Sequence, residues 1–273
     1  MINIGNMTNL TNYDIDRGLE MLRIHIAPIG FEVDRIVLPA KAMKSDRIWL
    51  IIHNDPKDSL GKSFSNNITQ DLDKYKIEYQ FENADRTDLF DTLRALKTII
   101  SKEKKNTIFI NVSTGSKIQA IACMMACMMF KDEVNIKPYY AEPEKYATTP
   151  KAQETIGLKR IVTLPEYKIE IPPNNLIDCL MLIYQRKNNT ITQKDLKDQA
   201  LEKNLIHLEK TKNMDQSAYM ALSKNLLEPL LLKWKFIKVQ KVGRHHNISL
   251  TEEGLNALRF LHTDYEKPYP EGV

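Results

Sequence analysis

The apolar positions of this chain change period as it is read from one end to the other. Residues 47–53 (Arg-Ile-Trp-Leu-Ile-Ile-His) and 107–112 (Thr-Ile-Phe-Ile-Asn-Val) are near-continuous apolar runs rich in β-branched and aromatic side chains, the pattern of strands buried on both faces. Residues 22–29, 77–81 and 135–141 read as three more strands. Between these runs the period lengthens. Leu89, Leu93, Leu96, Ile99 and Ile100 mark one face of a helix over 89–104, and shorter helices are predicted over 33–43 and 67–75. Residues 54–65, which hold Asp55-Pro56 and Gly61, are polar and predict a loop. Residues 118–130 are rich in Ala, Met and Ile, lack Gly and Pro, and predict a buried helix. Strands separated by helices call for a parallel sheet covered on both faces: a Rossmann-like α/β domain.

From about residue 150 the character changes. Pro165, Pro172 and Pro173 suit an extended connector. Beyond it the pattern predicts a helix over 175–185, then a turn capped by Thr192 and a short helix. A further helix begins near Ser217 and carries Leu222, Leu226, Leu227, Leu230 and Leu231, with Pro229 expected to kink or split it. Short strands at 236–240 and 247–250 flank a Gly243-Arg244-His245-His246 turn, and Thr251 caps a last helix over 252–261. Helix, helix, helix, hairpin, helix is the order of a winged helix-turn-helix, a smaller α+β domain. The expected division is a loose extension or upstream-start product over 1–20, a Rossmann-like α/β domain over 21–163, a linker over 164–174, the winged helix over 175–264 and a tail over 265–273.

Length and composition leave room for two domains: 273 residues, 42% hydrophobic and 27% charged, as in ordinary globular chains. No apolar run approaches the ~20 residues of a membrane span, and the polar N-terminus lacks the apolar core of a secretion signal, so no membrane is expected. Three cysteines, an odd number, with no signal sequence suggest a reducing cytoplasm. Cys123 and Cys127 lie four apart without a nearby His and read as small core residues rather than metal ligands. The net charge is +4, yet residues 186–249 hold 13 Lys+Arg against 6 Asp+Glu, a local +7. A basic helical unit with a basic hairpin is the electrostatic footprint of a DNA binder. Lys238, Lys241 and Arg244 would lie on the wing, and Gln216, Ser217, Tyr219, Ser223 and Lys224 would form the reading face. The alternative is a solvated basic surface on a dimerisation module. His245 and His246 read as DNA-facing or solvated rather than as metal ligands.

The most pointed motif is Asn111-Val112-Ser113-Thr114-Gly115-Ser116-Lys117, between a buried strand and a buried helix. A helix N-terminus offers free N–H groups and the positive end of a dipole, so this turn is suited to an anion. Ser113, Thr114 and Ser116 add hydroxyls and Lys117 a positive charge; the plainer reading is that Ser113 or Thr114 merely caps the helix. The single Gly rules out a Walker A loop, and Gly30 standing alone disfavours a dinucleotide cofactor, so no cofactor is expected. Ligands of such sheets bind beyond the carboxyl ends of the strands, which adds Gly30, Phe31 and Asp34, His53 and Asn54, and residues 83–86 to the candidate site.

Residues 24–32 (Ile-His-Ile-Ala-Pro-Ile-Gly-Phe-Glu), 49–54 (Trp-Leu-Ile-Ile-His-Asn) and above all 111–117 resemble the CARF domain, the Rossmann-like ligand sensor of CRISPR-associated proteins. With the winged helix, the chain from about Met21 resembles the archaeal CARF–winged-helix regulators. That resemblance implies a homodimer whose paired sensor domains form a pocket for a cyclic oligoadenylate, often the tetra-adenylate. It also implies a transcription regulator that binds double-stranded DNA. By carry-over Gly30, Phe31 and Asp34 line one wall, with Phe31 either an adenine-stacking surface or core, and Lys117 is the first residue to test.

An enzyme is the competing class. The Arg-x-x-x-x-His signature of the HEPN ribonucleases is absent, since none of the six histidines has an Arg five positions before it. Slow self-cleavage of a cyclic ligand, as in the ring nucleases of this superfamily, would have the 2′-OH attack the adjacent phosphate, with Ser113 and Lys117 stabilising the charge. A third reading is an interaction adaptor that uses the winged helix for assembly.

Overall fold

In the computed structural model the described residues are 21–53, 59–146, 155–208, 213–243, 245–262 and 265. The chain forms two compact units. One comprises the residues up to Thr87 together with Ile99–Tyr167; the other joins Asp88–Thr98 to the residues from Lys168 onward.

The first unit is built on a six-stranded sheet. In chain order its elements are β1 (Arg23–Pro28), α1 (Asp34–Ala42), β2 (Arg47–Ile52), α2 (Ser59–Lys74), β3 (Glu78–Asn83), the end of α3 (Leu89–Lys102) from Ile99 onward, β4 (Thr107–Asn111), α4 (Lys117–Phe130), β5 (Asn135–Glu142), β6 (Lys145–Tyr146), β7 (Thr155–Ile156) and β8 (Arg160–Thr163). The strand order is β3-β2-β1-β4-β5-β8, all parallel except β8, which runs antiparallel to β5. Ile26 pairs with Trp49 on one side and Ile110 on the other. The central strands are buried on both faces, with Ile24, Ile26, Ile48, Leu50, Ile108 and Ile110 fully inaccessible. The parallel α/β sheet expected from the sequence is therefore present.

Three features depart from expectation. Helix α2 starts at Ser59, inside the stretch read as a loop. Polar neighbours hid a four-residue spacing: Ile68 and Leu72 are fully buried, and Phe64 one turn earlier packs on Phe31 with ring centroids 5.6 Å apart. The edge strand β8 and the two-stranded β6–β7 ribbon went unread, because they are too short to set up a period. Cys123 and Cys127 are buried in α4, where burial pushes both thiols well above their ordinary range.

The second unit contains residues 89–98 of α3 along with α5 (Asn174–Tyr184), β9 (Thr190–Thr192), α6 (Gln193–Glu202), α7 (Met214–Leu222), β10 (Ile237–Val242), β11 (His245–Leu250) and α8 (Glu252–Leu261). Its sheet has the order β10-β11-β9, antiparallel throughout. Leu176, Leu180, Ile183, Leu196, Leu222, Leu226, Leu230, Ile248 and Leu258 form one core cluster. This is a winged helix, with β9 as a short third strand that the sequence concealed in a three-residue Thr-Ile-Thr run. Thr192 and Thr251 cap α6 and α8 as expected, accepting from Asp195 N and Gly254 N at 3.1 Å each. Pro229 does not split its helix. After Leu222 the backbone continues as two π-helical turns, Ser223–Leu227 and Pro229–Lys233, with helical angles held at Glu228 between them. A proline lacks the N–H for the i→i−4 ladder; the change of register absorbs that loss without breaking the rod. His245 and His246 lie in β11 rather than in the turn, since the ribbon extends two residues further than predicted.

Two buried polar groups tie the first unit to pH. Glu103 accepts from Trp49 Nε1 (2.8 Å), Arg47 Nη1 (2.9 Å) and Asn106 Nδ2 (2.7 Å). Burial alone would raise its pKa, but these bonds outweigh that and hold it below the ordinary carboxyl value. His25 is fully buried on β1, its Nδ1 3.2 Å from the Tyr139 hydroxyl, and desolvation lowers its pKa from 6.5 to about 3. The folded chain thus keeps His25 neutral where the unfolded chain would protonate it. Stability contributed this way is complete above pH 6.5 and falls as pH drops toward 3. At pH 5 the loss from this one group is about 2 kcal/mol. Urea melts between pH 7.5 and 5 should therefore show wild type losing about 2 kcal/mol more than His25→Leu as the pH falls; parallel curves would show that the imidazole is not held neutral.

Candidate ligand site and nucleic-acid interface

The strand order reverses between β1 and β4, the position in such sheets where a crevice opens beyond the strand ends. There the turns after β1 and β4 meet backbone to backbone. A Cβ on Gly30 would lie 3.0 Å from Gly115 N and 3.1 Å from Gly115 Cα. Gly115 has φ +77°, and a Cβ there would lie 2.5 Å from Pro28 Cβ and 2.7 Å from Gln119 Oε1. Gly30 is fixed by this contact, and Gly115 by contact and by conformation together.

The turn is held from below by Asn111, which is fully buried at the end of β4. Its amide donates to Arg35 O at 2.8 Å, and its Oδ1 accepts from the Ser113 N–H (2.9 Å) and the Ser113 hydroxyl. Ser113 Oγ in turn accepts from Ala141 N at 3.0 Å, which fastens the turn to β5. Its one proton is committed to Asn111. The cap of α4 is neither Ser113 nor Thr114 but Ser116, which accepts from Gln119 N (3.1 Å) while Gln119 Oε1 accepts from Ser116 N (3.0 Å). The Ser-x-x-Gln spacing of a reciprocal capping box was present in the sequence and could have identified both residues.

Two side chains in this turn carry buried polar atoms without a partner among the described residues: Thr114 Oγ1, on a residue 2% exposed, and Gln119 Nε2, on a residue 1% exposed. Such atoms typically cost ~1–3 kcal/mol each unless something bonds them. Nearby on α1, Arg35 Nη2 is also buried and unpartnered; its Nε donates to Ala141 O at 2.8 Å and its guanidinium sits 4.9 Å from the Tyr140 ring. Lys117 is exposed at the first position of α4. Thr114, Gln119 and Lys117 thus bring donors to the positive end of a 14-residue helix, a setting suited to oxyanions, while Arg35 is also paired with Glu32.

The other expected residues have structural partners. Asp34 accepts from Gly157 N at 2.7 Å, and its neighbour Glu32 bonds Thr155, so the turn after β1 anchors the chain around β7. Phe31 is half-buried against Phe64. His53 Nδ1 accepts from Arg86 N at 3.3 Å, which draws the loop after β3 to the end of β2, and Ser116 Oγ donates to Arg86 O at 2.5 Å. Asn54 lies outside the described residues. Sequence reasoning missed Arg35 altogether and included Arg86 only as the end of a range.

On the winged helix, Gln216, Ser217, Ser223 and Lys224 line one open groove of about 920 Å³ along α7 with Asn213 and Met220. Tyr219 stands apart. Its ring lies 4.7 Å from the Lys197 ammonium, which also bonds Asp215. Lys238 and Lys241 are both exposed on β10, but strand alternation turns residues three apart to opposite faces of the ribbon. Arg244 lies outside the described residues. Among the described residues no cluster of three or more His, Cys, Asp or Glu groups is placed to hold a metal, and no helix is long and apolar enough to cross a membrane.

A mostly parallel α/β unit with a donor-rich turn at its switch point, followed by a winged helix, defines a two-part architecture. Comparison with known families agrees. Residues 23–146 match the family described as "HFX_2341_N:-like, N-terminal", and residues 175–262 match the DUF6293 C-terminal winged helix domain. The two models match successive parts of the chain. A relative, the uncharacterized protein MJ1513 of Methanocaldococcus jannaschii, is 29% identical over 217 residues, 70% of this chain and 63% of its own. Among solved structures, Can2 from Sulfobacillus thermosulfidooxidans in complex with cyclic tetra-adenylate aligns over 87% of this chain and 63% of its own, at 14% identity and TM-score 0.40. Csm6 from Enterococcus italicus, bound to cyclic hexa-2′-fluoro-hexa-dAMP, aligns over 69% and 57%, at 13% identity and TM-score 0.42. The chain thus spans less than two thirds of the length of each of these three proteins.

The closeness of the two turns makes Gly115 the sensitive position. Gly115→Ala should lower stability by at least ~2 kcal/mol, from the left-handed conformation and the clash with Pro28 combined, and should displace the Gly30 turn. Thermal melts test this, and a variant as stable as wild type would show that the turns are not locked together.

Proposed function

We propose that the chain is a ligand-responsive transcription regulator: a CARF-type sensor of a cyclic oligoadenylate that binds double-stranded DNA through its winged helix as a homodimer. The observation that carries the sensing half is the pair of orphaned buried groups, Thr114 Oγ1 and Gln119 Nε2, at the N-terminus of α4 beside Lys117. A phosphodiester supplies the acceptors they lack. One such turn is a modest anion holder, and a second copy related by a twofold axis would double it for a cyclic ligand with several phosphates. Ile118 and Ile121, 37% and 51% exposed on the first turns of α4, give a second copy an apolar surface next to Lys117. The assignment of domains to 21–163 and 175–264 belongs to the same reading. Because the Ser113 proton is committed to Asn111, no charge-stabilising role is assigned to Ser113, and self-cleavage of the ligand is not part of the proposal.

Calorimetric titration with cyclic tri-, tetra- and hexa-adenylate tests the sensor. One ring should bind tightly at one ligand per two chains, and Lys117→Ala should weaken it by at least ~10-fold, the size expected for a charge-assisted contact. No heat with any ring would remove the proposed signal and leave the fold untouched.

The DNA half rests on the exposed α7 groove and the basic β10–β11 ribbon. Affinity for a duplex should fall steeply with salt, and replacing a phosphate-contacting lysine by Ala should reduce the log–log slope by about 1. Since Lys238 and Lys241 face oppositely, one of the two single variants should do so and the other should not. A weak salt dependence in wild type would favour the adaptor reading instead.

A further inference from the structure

The loop after β3 carries a bond that a bound anion would compete for. Ser116 Oγ has one proton, which it donates to Arg86 O at 2.5 Å, while its lone pair accepts from Gln119 N. The same hydroxyl caps α4, next to Lys117 and the orphaned atoms of Thr114 and Gln119. An oxyanion arriving at this helix end is a better acceptor than a peptide carbonyl, because charge-assisted bonds are about twice as strong as neutral ones. Taking the Ser116 proton would release the Arg86 carbonyl.

Two residues on, Asp88 opens α3. Its Oδ1 accepts from Phe90 N (3.0 Å) and Asp91 N (3.2 Å), and its Oδ2 pairs with Arg259 Nη2 of α8. The contact is reciprocated at the same, C-terminal end of α8. The last carbonyls of a helix have no partner in the helix itself. Here Arg94 Nε donates to Arg259 O at 3.0 Å and Lys97 Nζ donates to Leu261 O. Phe90 and Phe260 stack between them, centroids 5.9 Å apart, and the Arg259 guanidinium lies 5.3 Å from the Phe90 ring. All of these residues belong to one compact unit, and the chain enters it at the Thr87–Asp88 bond. Helix α8 in turn rests on the winged-helix core through Leu258.

We infer that residues 84–88 form a relay: capture of a phosphate by Ser116 frees the Arg86 carbonyl, shifts Asp88, and loosens its hold on Arg259 and hence the setting of α8. The relay rests on the sensing reading above but has its own test. Arg86 and Asp88 are two residues apart, so a change at one backbone carbonyl reaches the helix cap without a long pathway. Asp88 and Arg259 act by positioning and touch neither ligand nor DNA.

Hydrogen–deuterium exchange on the full chain without ligand decides whether the connection exists. Ser116→Ala should raise exchange at least ~3-fold in residues 84–92 and also in α8, with β9–β11 unchanged, and Ser116→Thr, which keeps the hydroxyl, should restore wild-type rates. Acceleration that stops at Thr87 overturns the relay. The second arm adds cyclic tetra-adenylate to the full chain on a random-sequence DNA duplex. Asp88→Asn, which keeps the capping oxygen, and Arg259→Gln should bind the nucleotide within ~3-fold of wild type yet lose most of the ligand-induced change in DNA affinity, a coupling of the usual ~5–150-fold size. An undiminished ligand response in both variants overturns the relay. Failure of wild type to bind the nucleotide overturns the sensing reading instead, and the exchange arm then stands alone.

Discussion

The candidate site depends on one close approach, that of Gly30 to Gly115 at the reversal of strand order. With 3.0 Å between a would-be Cβ on Gly30 and Gly115 N, the two turns act as a single piece of backbone. Everything else at the site is referred to that contact. Asn111 and Ser113 hold the β4 turn to α1 and β5, and Ser116 holds it to the loop after β3. The hydroxyls that looked like ligand groups in the sequence are mostly fasteners. The fasteners leave over Lys117, the first amides of α4 and the unsatisfied atoms of Thr114 and Gln119, beside a Ser116 hydroxyl whose proton is held only by the Arg86 carbonyl.

This division has a physical reason. A turn that must present backbone N–H groups to an anion cannot also be free to move, since preorganisation is what makes such donors effective. Side-chain oxygens that satisfy the surrounding backbone supply that rigidity. Asp34 and Glu32 do the same for the turn after β1, where their bonds to Gly157 N and Thr155 fix its outer edge.

The parallel sheet was legible because its strands are buried on both faces, which leaves apolar runs that no solvent-facing residue interrupts. The turn at 111–117 was legible for a related reason: strand, hydroxyl-rich turn and helix follow one another within twenty residues. What failed was anything defined by a partner distant in sequence. Thr190-Ile191-Thr192 is a strand only because Ile191 lies opposite Ile248, and β8 is a strand only because β5 offers it an edge. The first half of helix α2 was hidden because the apolar side of the helix is narrow among polar residues. The helix around Pro229 shows the reverse case, where a strong local signal was overridden: burial of Leu226 and Leu230 on either side keeps the rod continuous, and the backbone yields by changing register.

The segment Asp88–Thr98 marks the limit of reading domains from a linear pattern. Its apolar face, with Leu93 and Leu96 fully buried, announces a helix of the α/β sheet and gives no sign of a second allegiance. The information lies in its polar residues. Asp88, Arg94 and Lys97 read singly as solvated charges, yet they complete the ends of two helices at once: Asp88 satisfies the start of α3 while binding Arg259, and Arg94 and Lys97 satisfy the end of α8. Helix termini are where a backbone has unmet demand, so charges that meet it hold elements together far more specifically than an exposed ion pair would. Residues 88–98 thus join the second unit through side chains that hydrophobic periodicity never samples.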